Sequence, residues 1–174
     1  MTSVDFVNMQ IPNYKLIKAA ICHYEDYYAI RSEKKNLFWT GYLNPPQYDS
    51  FKTWYQNRLN DPDRDLFIMY VDNICVGALH IDFYRDYAAI GYSVKEAFEG
   101  KGYATSLVRE AIDLSFQKKI DCPDLSKVIA WISSENRASV KVVEKNGFRQ
   151  STICEKRMRF DNKDLYYQYI YWLE

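Results

Sequence analysis

Residues 88–105 read Ala88-Ala89-Ile90-Gly91-Tyr92-Ser93-Val94-Lys95-Glu96-Ala97-Phe98-Glu99-Gly100-Lys101-Gly102-Tyr103-Ala104-Thr105. A β-rich run ends at Val94, a glycine-rich loop turns, and a helical pattern begins at Tyr103. From there Ala104, Leu107, Val108, Ala111, Ile112 and Ser115 share one helical face, with Arg109, Glu110 and Asp113 on the other. A helix start leaves several N–H groups without partners and carries partial positive charge. Glycines at 100 and 102 let the backbone curl so that those donors converge on a bulky anion. The stretch therefore reads as a phosphate or pyrophosphate site, with a plain strand-to-helix turn as the alternative. It lacks the Gly-x-x-x-x-Gly-Lys-Ser/Thr spacing of a nucleotide P-loop, and the preceding strands do not form the parallel unit of a dinucleotide fold.

On the C-terminal side, Lys127–Ile132 is short, apolar and β-branched, which predicts a buried strand. A helix is expected over Glu135–Asn146, with Asn136 and Ser139 on one face of its first turns and Gly147 as a left-handed cap. Two strands, Phe148–Arg159 and Leu165–Leu173, close the chain. On the N-terminal side, Leu66–Val71 and Ile74–Ile81 flank Asp72-Asn73, a pair suited to a tight hairpin turn. Tyr84-Arg85-Asp86-Tyr87 turns into a third strand, Ala88–Val94. Earlier still come a short strand near Tyr14–Ala20 and helices over Tyr24–Lys35 and Ser50–Leu59, the latter capped by Asp49 or Ser50. The order β-α-α-β-β-β-α-β-α-β-β predicts an α/β fold: a mixed central sheet flanked by helices.

The 174 residues are 48% hydrophobic and 26% charged, which fits a globular chain with a real core and argues against disorder. Lys plus Arg and Asp plus Glu both number 23, so no net charge points to nucleic acid. No apolar run reaches the ~20 residues that cross a bilayer, and residues 1–15 lack a secretory layout. A cytoplasmic protein with neither a membrane nor a nucleic-acid partner is expected. Cys22, Cys75, Cys122 and Cys154 are scattered, without the short ligand pairs of a zinc site. They read as reduced and mostly buried thiols, with no metal. The 16 Tyr, 9 Phe and 4 Trp point first to an aromatic core, then to a stacking surface.

In Ile90-Gly91-Tyr92-Ser93-Val94, Glu99-Gly100-Lys101-Gly102-Tyr103-Ala104 and Glu135-Asn136-Arg137-Ala138-Ser139 through Lys145-Asn146-Gly147-Phe148, the chain resembles the GNAT superfamily of acyl-CoA-dependent N-acetyltransferases. Gly-Lys-Gly-Tyr-Ala-Thr, Asn-x-x-Ser and Gly-Phe look most like the branch of ribosomal-protein N-terminal acetyltransferases (RimJ/RimL type), which also acetylates small amines. The resemblance implies a single domain over residues 1–174, acetyl-CoA as cosubstrate, and a primary amine of a small molecule, amino sugar or peptide N-terminus as acceptor. It is also compatible with a homodimer. The backbone of Gly91, Tyr92, Ser93 and Val94 would hold the pantetheine arm and supply the oxyanion donor. Glu99, Gly100, Lys101, Gly102, Tyr103, Ala104 and Thr105 would form the pyrophosphate loop. Asn136 would touch the pantetheine, and Ser139 lies where the coenzyme sulfur is expected.

Two positions depart from the family pattern. Glu99 stands where Gln or Arg is usual, and a carboxylate beside a pyrophosphate is repelled unless it turns outward. Val143 stands where many relatives carry a Tyr that protonates the departing thiolate, which leaves Ser139 or water for that task. Glu155 falls, by loose alignment, where the RimL-type branch carries a catalytic carboxylate, and an exposed strand residue is the plainer reading. His80 in an apolar strand reads as a hydrogen-bonded core residue rather than a base, although histidine titrates near neutrality. Trp39 and Tyr48 are the acceptor-pocket candidates. They belong to an aromatic group with Tyr42, Phe51, Trp54 and Tyr55, whose i, i+3, i+4 spacing at 51, 54 and 55 also suits packing. The competing function is an acyl-CoA-binding module of the same fold without catalysis.

Overall fold

The computed structural model describes residues 13–159 and 162–174. Strands β2 (Arg64–Val71) and β3 (Ile74–Phe83) form a hairpin closed by Asp72 and Asn73, both in the left-handed region at φ 50° and 62°. That is the two-residue turn the sequence predicts. Strand β4 (Tyr87–Val94) continues the antiparallel meander, and β1 (Lys15–Lys18) adds to the far side of β2. The chain then crosses over through the helix Tyr103–Asp121 to β5 (Lys127–Ser133), which runs parallel to β4. Strands β6 (Arg149–Arg159) and β7 (Asn162–Trp172) finish a seven-stranded mixed sheet of order β1-β2-β3-β4-β5-β7-β6.

Before β2 come α1 (Tyr24–Ser32), α2 (Lys34–Thr40) and α3 (Tyr48–Leu59); after β4 come α4, the crossover helix Tyr103–Asp121, and α5 (Arg137–Lys145). The two sets cover opposite faces of the sheet. Leu66, Ile68 and Ala78 pack with Tyr24, Tyr27, Ile30 and Tyr55 on the α1–α3 side. Phe67, Met69, Leu79 and Ile81 pack with Leu107, Val108 and Ala111 on the α4 side. Burial on both faces explains why the central strands read as unbroken apolar runs.

Four expectations change. The helix expected over Tyr24–Lys35 breaks at Glu33, which is extended (φ −64°, ψ 138°), so among the described residues three α-helices precede β2 rather than two. The Glu33 carboxylate accepts the Glu96 N–H at 3.0 Å, a partner remote in sequence. Helix α3 is capped by Gln47, whose side chain accepts the Ser50 N–H at 2.7 Å, rather than by Asp49 or Ser50. Asn136 caps α5 instead of lying in its first turn. Of the four free thiols only Cys75 is buried. Cys22 lies in the turn before α1 and Cys154 on the edge strand β6, where neither meets a core. No helix among the described residues is long and apolar enough to cross a membrane.

Candidate active site

The parallel ladder between β4 and β5 is short. Tyr87, Ala88 and Ala89 pair with Lys127, Val128 and Ile129, and beyond Ile90 the two strands part. Residues 90–94 keep their ladder with β3, so the alternate backbone groups facing β5 are left without a strand partner. Where the strands separate, a cleft of about 860 Å³ opens.

The α4 wall of this cleft begins with Gly100 and Gly102, at φ 73° and 87°. A side chain at either would be strained, and a Cβ on Gly100 would meet nothing within 4 Å, so the loop lies open. Gly102 is the N-cap of α4 and contributes no side-chain capping bond, which leaves the first-turn N–H donors to a ligand. Lys101 Nζ sits 5.1 Å from the Phe98 ring centroid and also lines the cleft. These features fit a diphosphate held by main-chain donors.

Asn136 and Ser139 form the α5 wall. Asn136 Oδ1 accepts the Ser139 N–H at 3.1 Å, and the Tyr92 hydroxyl donates to the Ser139 carbonyl at 3.2 Å, tying β4 to α5 across the cleft. Burial pushes the Tyr92 phenol up to about 12, so it stays protonated. Asn146 Nδ2 donates to the Thr105 and Val142 carbonyls at 3.2 and 2.9 Å and locks α5 against α4.

Every residue expected to bind the coenzyme lines this one cleft: Gly91 through Val94, Glu99 through Thr105, Asn136 and Ser139. Glu99 does not simply face water. Its carboxylate is paired with Lys35 of α2, which bridges the cleft at its mouth. Of the acceptor candidates, Trp39 lines the cleft, whereas Tyr48 is not among its lining residues. The Tyr48 hydroxyl donates to Glu25 while its ring packs edge-on against Tyr24 and Tyr28. Glu155 is exposed, bonded to Arg157, and also absent from the lining. Val143 is fully buried in the core. His80 lies outside the lining, on the opposite side of Gly91's backbone from β5, and burial lowers it to about 4.

Sequence reading missed the wall facing α2. It is built from Asn36 and Thr40 of α2, Trp131 and Ser133 of β5, and Tyr166 of β7. The Arg157 guanidinium lies 4.9 Å from the Trp131 ring centroid and 5.0 Å from that of Tyr166. Among the described residues, no group of three or more His, Cys, Asp or Glu is placed to hold a metal.

A family model described as "Acetyltransferase (GNAT) domain" matches residues 15–149. The chain is 28% identical over 137 residues to the probable N-acetyltransferase YjcK of Bacillus subtilis (strain 168), covering 79% of this chain and 68% of that protein. The crystal structure of spermidine N-acetyltransferase from Vibrio cholerae in complex with CoA and spermine aligns with a TM-score of 0.78 at 16% identity, over 91% of this chain and 95% of that one. Ribosomal-protein-alanine N-acetyltransferase from Brucella melitensis aligns with a TM-score of 0.78 at 17% identity, over 91% and 99% of the two chains. At such identities the two structures establish the shared fold.

Proposed function

The chain belongs to the GNAT acetyltransferase family and is an acetyl-CoA-dependent N-acetyltransferase, and from that premise we propose how its cleft divides the work. Acetyl-CoA enters from the α4–α5 side and a primary amine from the α2 side. The acceptor is a small amine, an amino sugar or a peptide N-terminus, and the chain acts as one domain of the RimJ/RimL type in the cytoplasm.

The parting of β4 and β5 at Ile90 supports this reading most directly. It leaves backbone donors and acceptors along residues 90–94 for an extended thioester arm, which would lie in the gap like an added strand. The glycine loop ahead of α4 suits the diphosphate. An N–H of the Gly91–Val94 stretch would stabilise the oxyanion that forms when the amine attacks. Attack is direct, within a ternary complex, and Ser139 or water meets the departing sulfur.

Incubating the chain with acetyl-CoA and a panel of spermidine, an alanine-initiated peptide and glucosamine tests the reading. Free thiol and an N-acetylated product, detected by mass, are expected for at least one amine. Tight acetyl-CoA binding with no product from any of them would overturn it.

A further inference from the structure

An amine that attacks a thioester must lose a proton, and the structure points to a route for it on the α2 side of the sheet. Val128, Ala130 and Ile132 of β5 face the α4 core, so by strand alternation Trp131 and Ser133 face the opposite side, where the amine would enter. Ser133 pairs in register with Tyr166 of β7, and Asp164, two residues earlier, shares that face. The Ser133 hydroxyl donates to Asp164 Oδ2 at 3.4 Å and accepts the Glu135 N–H at 3.3 Å. Ser133 is only 2% exposed yet lines the cleft, and Asp164 is half-buried behind it.

We infer that Ser133 relays the proton of the attacking amine to the Asp164 carboxylate. Ser133 is then a catalytic residue and Asp164 a positioning residue acting through it. A hydroxyl has one donor and two acceptor sites. Here the donor is aimed at Asp164 and one lone pair is taken by the Glu135 N–H, so the second lone pair serves an amine N–H. As the nitrogen lone pair bonds the carbonyl carbon, its N–H proton passes to Ser133 Oγ while the hydroxyl's own proton passes to Asp164. The C–S bond then breaks with its electron pair on sulfur. Asp164 releases its proton to water, and the thiolate takes one from water. A long hydrogen bond of this kind in the free enzyme tightens when substrate excludes solvent.

The other carboxylates near the cleft are less suited. Glu99 lies on the coenzyme side, Glu135 is exposed at the rim, and Glu155 is exposed on β6. Among the described residues, Arg157 stands opposite Asp164 across the β6–β7 ladder and Glu135 lies beyond Ser133.

The inference rests on the acetyl transfer proposed above, so the wild-type chain is assayed first with the same three amines. With the best of them, Asp164→Asn should lower kcat roughly 10²-fold, at the low end of what a positioned base contributes. The KM for acetyl-CoA and the melting temperature should hold, and the deficit should shrink as pH rises and hydroxide takes over. Ser133→Ala should lower kcat similarly. In the inert complex with desulfo-coenzyme A, calorimetry should show weaker amine affinity for Ser133→Ala and unchanged affinity for Asp164→Asn. The double variant should be no slower than either single one, as expected of groups that act as a unit. Asp164→Glu should recover part of the rate. Wild-type kcat in Asp164→Asn, a pH-independent deficit, or additive losses in the double variant would overturn the route while leaving acetyl transfer intact. A wild-type chain that acetylates none of the amines would sink both.

Discussion

The imidazole of His80 lies against the Cα of Gly91, its partner across the β3–β4 ladder. A Cβ at position 91 would stand 2.2 Å from His80 Cε1 and 2.4 Å from Nε2. A side chain at 91 therefore requires the His80 ring to move, and that ring packs on β4 where β4 leaves β5. Gly91→Ala is expected to destabilise the fold by ~1–3 kcal/mol through overpacking. Urea denaturation should show most of that loss recovered in the His80→Ala, Gly91→Ala double variant. Simple additivity of the two losses would contradict the contact.

His80 also sets a pH dependence. Burial lowers it to about 4 in the folded chain, against ~6.5 for a free histidine. Between these values the unfolded chain binds a proton that the folded chain does not. Stability is therefore complete above the unfolded value and declines as pH falls from there toward 4. The loss at the acid end should be on the order of 2 kcal/mol, since each pKa unit is worth about 1.4 kcal/mol and the site is not fully sealed. Denaturant midpoints for wild type and His80→Gln, measured across that range, should converge as the pH falls.

Lys35 and Glu99 face each other across the mouth of the cleft, both partly exposed. Their pairing adds little to stability in water. Its effect should fall on the coenzyme instead. Glu99→Gln should leave acetyl-CoA affinity nearly unchanged, because Lys35 already offsets the carboxylate. Lys35→Ala should weaken binding several-fold by baring Glu99 beside the anion loop. Adding Glu99→Gln to Lys35→Ala should restore it, and titration calorimetry on the three variants decides the matter.

Gly100 and Gly102 hold left-handed backbone that other residues adopt only at a cost of roughly 1–2 kcal/mol each. Replacing both with valine should abolish measurable acetyl-CoA binding while the far-UV circular dichroism of the fold persists. Retained binding in calorimetry would remove the loop from the coenzyme site.

Trp39 and Tyr48 should separate cleanly. Trp39→Ala, altering the cleft wall, is expected to raise the acceptor KM with little change in acetyl-CoA KM. Tyr48→Ala removes two edge-on ring contacts and a bond to Glu25, so it should cost about 1 kcal/mol of stability and leave both KM values alone.

The half of the site built on the β4–α4 and β5–α5 connections was legible in the sequence because each piece is local. Glycine spacing, helix period and the Asn136–Ser139 interval all act within a few residues of one another, although that Asn136 caps α5 was not read. The hairpin at Asp72-Asn73 was legible for the same reason. The break at Glu33 was not, because its carboxylate answers to the Glu96 N–H on the far side of the meander. Nor was the α2 wall. Trp131, Ser133 and Tyr166 meet only because β7, rather than β6, lies beside β5, and no local pattern encodes that order. Tyr48 reads as a pocket candidate within an aromatic group whose spacing at 51, 54 and 55 also suits packing, and its ring packs against Tyr24 and Tyr28, contacts no local pattern specifies.

The gap between β4 and β5 presents amide and carbonyl groups, and these are the same whatever residue carries them. A grip made this way on acetyl-CoA would exert little selection on side-chain identity beyond size at a few tight points such as Gly91. Chains that inherit it are free to drift widely, provided the two strands still diverge at the same rung. A fold shared at only 16% or 17% identity is compatible with so undemanding a grip.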